Sequence, residues 1–179
     1  MKVLIASDIH GSILHMKRLE KAFLKHKVDQ IILLGDLLYI GPRNKMHLFY
    51  RPEKVMHLLN KWASKIKAVL GNCDSEIDQA VLHFSLPKRQ TIKVNNYRLH
   101  LMHGHDFDLQ PFKIIDGDLV FFGHTHQVHL EKKDNYFLFN PGSITYPKGK
   151  EPHTYMLLCN DKIELYNLNN KLLESFDLK

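Results

Sequence analysis

Short apolar runs, each closed by a glycine or a polar turn, punctuate the first two thirds of the chain. Lys2–Ala6, Ile31–Leu34, Ile66–Leu70 and Val120–Phe122 are almost free of polar residues. Runs of this length bounded by turn signals read as strands buried on both faces. Between the first two, Ile13, Met16, Leu19 and Phe23 recur at helical spacing, with Lys17, Arg18, Glu20 and Lys21 on the opposite face. Ser12 stands where an N-cap belongs. A second amphipathic stripe, Val55, Leu58, Leu59 and Trp62, follows Pro52, a residue suited to a first helical turn. Strand, helix and strand in this order imply a parallel crossover, which sets the end of the second strand beside the end of the first.

From Gln90 onward the pattern changes to strands joined by tight turns. Tyr97, Leu99 and Leu101 alternate with polar residues. Asn95-Asn96, Asp134-Asn135, Asn160-Asp161 and Asn169-Asn170 each separate two such runs. Asparagine and aspartate tolerate positive φ and suit two-residue hairpins. The chain closes on a meander of three strands. No linker, low-complexity segment or internal repeat divides it, so residues 1–179 read as one domain.

What stands at the strand ends carries the chemistry. The first strand ends in Ser7-Asp8-Ile9-His10-Gly11, the second in Gly35-Asp36, the third in Gly71-Asn72-Cys73-Asp74. Later strands end in His103-Gly104-His105 and Gly123-His124-Thr125-His126. Carboxyl ends of strands in an α/β sheet are where ligands gather. Any one of these is an ordinary polar turn; their repetition argues for ligands. Asp8 beside Asp36 would be repulsive without a cation between them. Asp8, His10, Asp36, Asn72, His103, His124 and His126 are too many oxygen and nitrogen donors for one ion and suit two, with a shared carboxylate. Paired divalent ions are a device for phosphoryl hydrolysis, activating a water and neutralising phosphoryl oxygens. Gly41-Pro42-Arg43-Asn44 marks a loop, and Arg43 is a candidate clamp for a phosphate oxygen as well as an ordinary surface arginine.

Composition narrows the partners. The net charge of +6 suits anions, but the lysines are scattered and no basic run interleaves with aromatics, which counts against a nucleic-acid platform. Cys73 and Cys159 form no pair motif, and the apolar start is too short for a signal peptide, so a cytoplasmic setting is expected. No run reaches membrane-spanning length. Phosphate-loop and dinucleotide glycine signatures are absent.

Asp8-x-His10, Gly35-Asp36, Gly71-Asn72-x-Asp74, His103-Gly104 and Gly123-His124-x-His126 resemble the ordered motifs of the calcineurin-like metallophosphoesterases. Ser7–Gly11, Gly41–Asn44, Gly71–Glu76 and Asn140-Pro141-Gly142-Ser143 are similar to the small YfcE-type phosphodiesterases. The resemblance implies a four-layer α/β/β/α sandwich, two mixed β-sheets flanked by helices. It implies Asp8, His10 and His126 on one metal, Asn72, His103 and His124 on the other, and Asp36 as the bridge. It also implies manganese, with nickel, cobalt, zinc or iron as alternatives, and a small phosphodiester substrate. One departure matters. Many relatives carry a leaving-group histidine where this chain has Cys73, and His105 is the nearest replacement in sequence. Three competing readings share the fold: an inert protein-binding scaffold like the retromer subunit Vps29, a phosphomonoesterase, and a nuclease. A homo-oligomer is compatible with all of them.

Overall fold

Both faces of most of the apolar runs are covered, and that is why they need no polar side. In the computed structural model, which describes Met1–Lys179, the first half of the chain forms β1 (Lys2–Ala6), α1 (Ile13–Lys25), β2 (Gln30–Leu33), α2 (Pro52–Lys61), β3 (Ile66–Ala68) and α3 (Glu76–Val81). The second half forms β4 (Arg89–Val94), β5 (Tyr97–Met102), β6 (Asp118–Phe121), β7 (Val128–Lys132), β8 (Tyr136–Pro141), β9 (Thr154–Cys159), β10 (Lys162–Asn167) and β11 (Leu172–Asp177). A six-stranded sheet has the order β11-β10-β9-β1-β2-β3, and a five-stranded sheet the order β4-β5-β6-β8-β7. Both are mixed: β1, β2 and β3 run parallel, as do β5, β6 and β8, with antiparallel strands outside them.

The period-two rule divides the core. Val3 and Ile5 face the second sheet and pack among Leu99, Phe121 and Phe139. Their neighbours Leu4 and Ala6 face the other way, against Met16, Leu19 and Phe23 of α1 and Leu59 of α2. Each such large side chain contributes roughly 1.5–3 kcal/mol on burial, so slipping β1 by one residue exchanges its two faces at once. On the outer side of the second sheet the covering layer is thin. A single 3₁₀ turn, Gln110–Phe112, seats Phe112 among Met102, Val120 and Leu138.

The four Asn/Asp dipeptides all fall at hairpins, and Asn95, Asn160 and Asn170 take φ of 53°, 56° and 61°. The expectation of uniform turn-linked strands fails between β5 and β6, which pair in parallel and so need the long connection through residues 103–117. The C-terminal meander returns to the first sheet, where β9 lies antiparallel to β1 with Val3 opposite Leu158. Ser12 stands at the N-cap of α1 but makes no capping bond, its hydroxyl being paired with His15 Nδ1 at 2.8 Å. Helix α3 is too short to show a period. Its start was readable only as Ser75-x-x-Asp78, which forms a capping box.

Candidate metal centre

Five strand ends converge at one rim of the sandwich. The ends of β1, β2 and β3 bring Asp8, His10, Asp36 and Asn72 from the first sheet; the ends of β5 and β6 bring His103, His124 and His126 from the second. Asp8, His10, Asp36 and His126 are buried, as is His103. Backbone geometry marks the same residues. Asp8, His10, Asp36, His124 and His126 have φ of 58°, 46°, 55°, 64° and 59°. Left-handed conformations are costly away from glycine and collect where a side chain must be aimed. The flanking glycines permit the approach: a Cβ on Gly71 would stand 2.1 Å from Asp36 Oδ1, and one on Gly123 would stand 2.0 Å from Ser7 Oγ.

The donor atoms point at each other. His126 Nε2 is 3.2 Å from Asp8 Oδ1, and His10 Nε2 lies 3.7 Å from Asp8 Oδ1 and 3.6 Å from Asp36 Oδ2. On the other side His103 Nε2 lies 3.5 Å from Asp36 Oδ2 and 3.0 Å from Asn72 Oδ1. Asp36 therefore stands between the two groups. Three imidazoles are held by backbone carbonyls on their far nitrogens: His10 Nδ1 to Tyr39 O at 2.9 Å, His126 Nδ1 to Tyr146 O at 2.8 Å, and His103 Nδ1 to Leu34 O at 2.6 Å. An Nδ1–H donated to a carbonyl leaves Nε2 as a lone pair aimed inward. Asp8 Oδ1 is buried and has no hydrogen-bond partner. A buried carboxylate oxygen without a donor, facing inward lone pairs, is costly unless a cation lies among them. The donor set fits divalent metal.

Without an ion, the closeness of the carboxylates favours a proton on two of these imidazoles in place of a cation. Burial opposes the charge on Asp36, but His103 and the Cys73 N–H hold its carboxyl well below the usual carboxylate range. Burial likewise opposes charge on His103, and Asp36 and Asp8 overcome it, lifting the imidazole to about 9. Burial lowers His10 and His124, while Asp8 outweighs burial at His126 and raises it. Burial, then Asp36, pushes the Cys73 thiol up to about 12.

Around the donors opens a pocket of about 870 Å³, whose wall includes Arg43, Asn44, Cys73, Gln127 and Lys148. Arg43 is thus at the site. His105 is not on that wall; its ring stands 5.6 Å from His103 and 6.2 Å from His124, on their outer side. Sequence reasoning missed Lys148, which has no motif around it, and missed what Asp74 does. The Asp74 carboxylate accepts the N–H groups of Asp36, Leu37 and Gly71 at 2.7–2.8 Å, and burial raises it to about 6. The Gly142 N–H is taken by Asn140 Oδ1, Asn140 Nδ2 donates to Gly123 O, and Ser143 Oγ donates to Asp8 O, so the Asn140–Ser143 turn braces two ligand loops.

Comparison with known proteins agrees with this geometry. Residues 1–162 match the model of the calcineurin-like phosphoesterase superfamily domain. The chain is 40% identical over 173 residues to phosphodiesterase YfcE of Escherichia coli K12, covering 96% of this chain and 94% of that one. The solved structure of E. coli YfcE, a phosphoesterase, superposes with a TM-score of 0.93 at 38% identity over the full length of both chains. Vacuolar Protein Sorting 29 from Cryptosporidium parvum shares the fold at a TM-score of 0.69 and 18% identity, over 98% of this chain and 97% of that one.

Proposed function

The chain belongs to the calcineurin-like phosphoesterase superfamily, and from that premise we propose that it is a phosphodiesterase of small phosphodiesters, dependent on two divalent ions. The observation that carries this reading is the convergence of Asp8, His10, His103 and His126 on one another and on Asp36, together with 40% identity to a phosphodiesterase. Asp8, His10 and His126 would hold one ion, Asn72, His103 and His124 the other, with Asp36 between them. Manganese is the proposed ion; nickel, cobalt, zinc and iron share the donor preference. Bound there, the pair supplies an activated water and positive charge for the phosphoryl oxygens.

The chain's own residues do the rest. The carbonyls of Tyr39, Tyr146 and Leu34 fix the imidazoles in the tautomer that presents Nε2. Asp74 ties the loops bearing Asp36 and Asn72 together through three N–H groups. Arg43 and Lys148, on the pocket wall, orient the phosphoryl group. Cys73 brings no imidazole proton to the departing alkoxide, which favours esters with good leaving groups. A cytoplasmic setting goes with this reading, and no helix is long and apolar enough to cross a membrane. The inert-scaffold alternative draws only on shared fold, and the presence of all seven candidate donors in the sequence weighs against it.

The test is hydrolysis of bis(p-nitrophenyl) phosphate by metal-stripped protein titrated with Mn²⁺. Metal-dependent turnover that is lost in His103→Ala and Asn72→Ala is expected. Two ions bound without turnover on any ester would refute the enzyme reading.

A further inference from the structure

Beside the metal pocket, on its Cys73 side, lies a second cleft of about 410 Å³ that the mechanism does not use. Its walls include Leu38, Tyr39, Tyr50, Met56 and Ile77, and it shares Tyr39, Cys73 and Ser75 with the metal pocket. The two spaces are therefore adjacent, with these three residues on their common border. Their chemistry differs. The metal pocket has Arg43 and Lys148 on its wall, whereas the cleft has no cation and carries Glu53 and Asp78. Apolar surface is held out at its edge: Ile77 is 68% exposed and Tyr39 48%.

The cleft is built on fixed elements. Tyr50 is bridged to Ser12, and Arg51 N–H donates to Gly11 O at 2.8 Å, so this wall hangs from the loop that carries His10. Gly11 leaves the room for it, since a Cβ there would stand 2.5 Å from the Tyr50 ring. The opposite wall is α3, whose start is locked by the Ser75–Asp78 capping box and whose end is tied to α2 by Asn60 Nδ2 donating to Val81 O at 2.8 Å.

Resting on the phosphodiesterase reading, we infer that this cleft seats one ester arm of the substrate, and that the arm is uncharged and apolar or aromatic. A phosphodiester has two arms on one phosphorus. With the phosphoryl group at the metal centre, one arm can extend past Cys73 between Tyr39, Tyr50 and Ile77. An anionic arm would meet Glu53 there without a compensating cation, so a second phosphate is excluded from that side and directed toward Arg43 and Lys148. Aromatic walls and a methionine provide stacking and adaptable packing for a ring or short alkyl chain.

The experiment compares bis(p-nitrophenyl) phosphate, which puts an aryl arm in the cleft whichever way it binds, with glycerophosphoglycerol, which has only polar arms. Ile77→Glu, at an exposed position, adds charge to the wall, and Ile77→Leu keeps it apolar. The aryl-to-glyceryl ratio of kcat/KM should fall by about tenfold or more in Ile77→Glu, within the range one apolar contact commands, and recover in Ile77→Leu. A ratio equal in wild type and Ile77→Glu overturns the cleft assignment while leaving the phosphodiesterase reading intact. Wild-type protein inert on both diesters with Mn²⁺ overturns that parent reading, and the assignment with it.

Discussion

His10 Nε2 and His126 Nε2 face each other at 3.3 Å, while the Nδ1 atom of each is held by a backbone carbonyl. Asp8 favours a proton on His126, and with both rings neutral in that tautomer the contact is two lone pairs directed at one point. Metal should relieve it. Saturating Mn²⁺ at about a hundredfold over Kd would add about 2.7 kcal/mol to stability for each ion bound, raising Tm by about 5–10 °C per ion for a domain of this size. Thermal melts with and without chelator check this, and identical melts would mean that no ion binds the folded state.

Asp74 spends its carboxylate on backbone N–H groups, yet it should matter almost as much as a ligand. Asp74→Asn replaces a double acceptor of three N–H groups with a single carbonyl and an amide that faces donors. Each buried N–H left alone costs about 1–3 kcal/mol, and metal affinity should drop roughly 10–100-fold. Calorimetric titration with Mn²⁺ separates the two effects, and affinity equal to wild type would remove Asp74 from the positioning role.

Cys73 is where the family resemblance would place a proton donor. Cys73→His should raise kcat for diesters with poor leaving groups by about tenfold or more, the lower end of general-acid contributions being ~100-fold in favourable geometry. Turnover of p-nitrophenyl esters should change little. His105→Ala, off the pocket wall, should leave the poor-leaving-group rate near wild type; a large loss there would make His105 the acid after all.

Arg43→Ala removes a cation from the pocket wall without touching a donor. KM for the diester should rise about tenfold, equivalent to about 1.4 kcal/mol of binding, with kcat less affected, as expected when ground and transition states are held alike. A proportionate fall in kcat with KM fixed would assign Arg43 to the transition state instead.

Away from the centre, His15 stacks on His153 with ring centroids 4.3 Å apart, and burial, then His153, Arg18 and His47, lower it to about 4. A base whose folded pKa is below its unfolded value of about 6.5 stabilises the fold above that value. The contribution is lost as pH falls from about 6.5 toward 4. After allowance for solvent screening the loss is about 1–2 kcal/mol. The fall in Tm across that window should shrink in His15→Gln, and an unchanged slope would place the acid sensitivity elsewhere.

Much of this was legible in the sequence because strand ends and ligands coincide. Asp8, Asp36 and His124 each follow a buried run, so locating the strand located the donor. The hairpin dipeptides were legible for the same local reason. What escaped was whatever depends on distant chain segments meeting. Lys148 reaches the pocket from a loop with no periodicity, and the cleft exists only because Tyr50 from a loop, Met56 from α2 and Ile77 from α3 meet. Parallel pairing of β5 with β6 is equally non-local, since nothing in Tyr97–Met102 records its partner's direction.

The donors are divided between the sheets, four on one and three on the other. A chain with only its first sheet formed offers two carboxylates, an amide and a single imidazole; one with only its second offers imidazoles alone. Neither half discriminates among ions as the closed rim does. Loading of a proposed pair of ions would therefore follow docking of the sheets, leaving selection among metals to the finished cavity, and a bound pair would make separating the sheets and losing the ions one event.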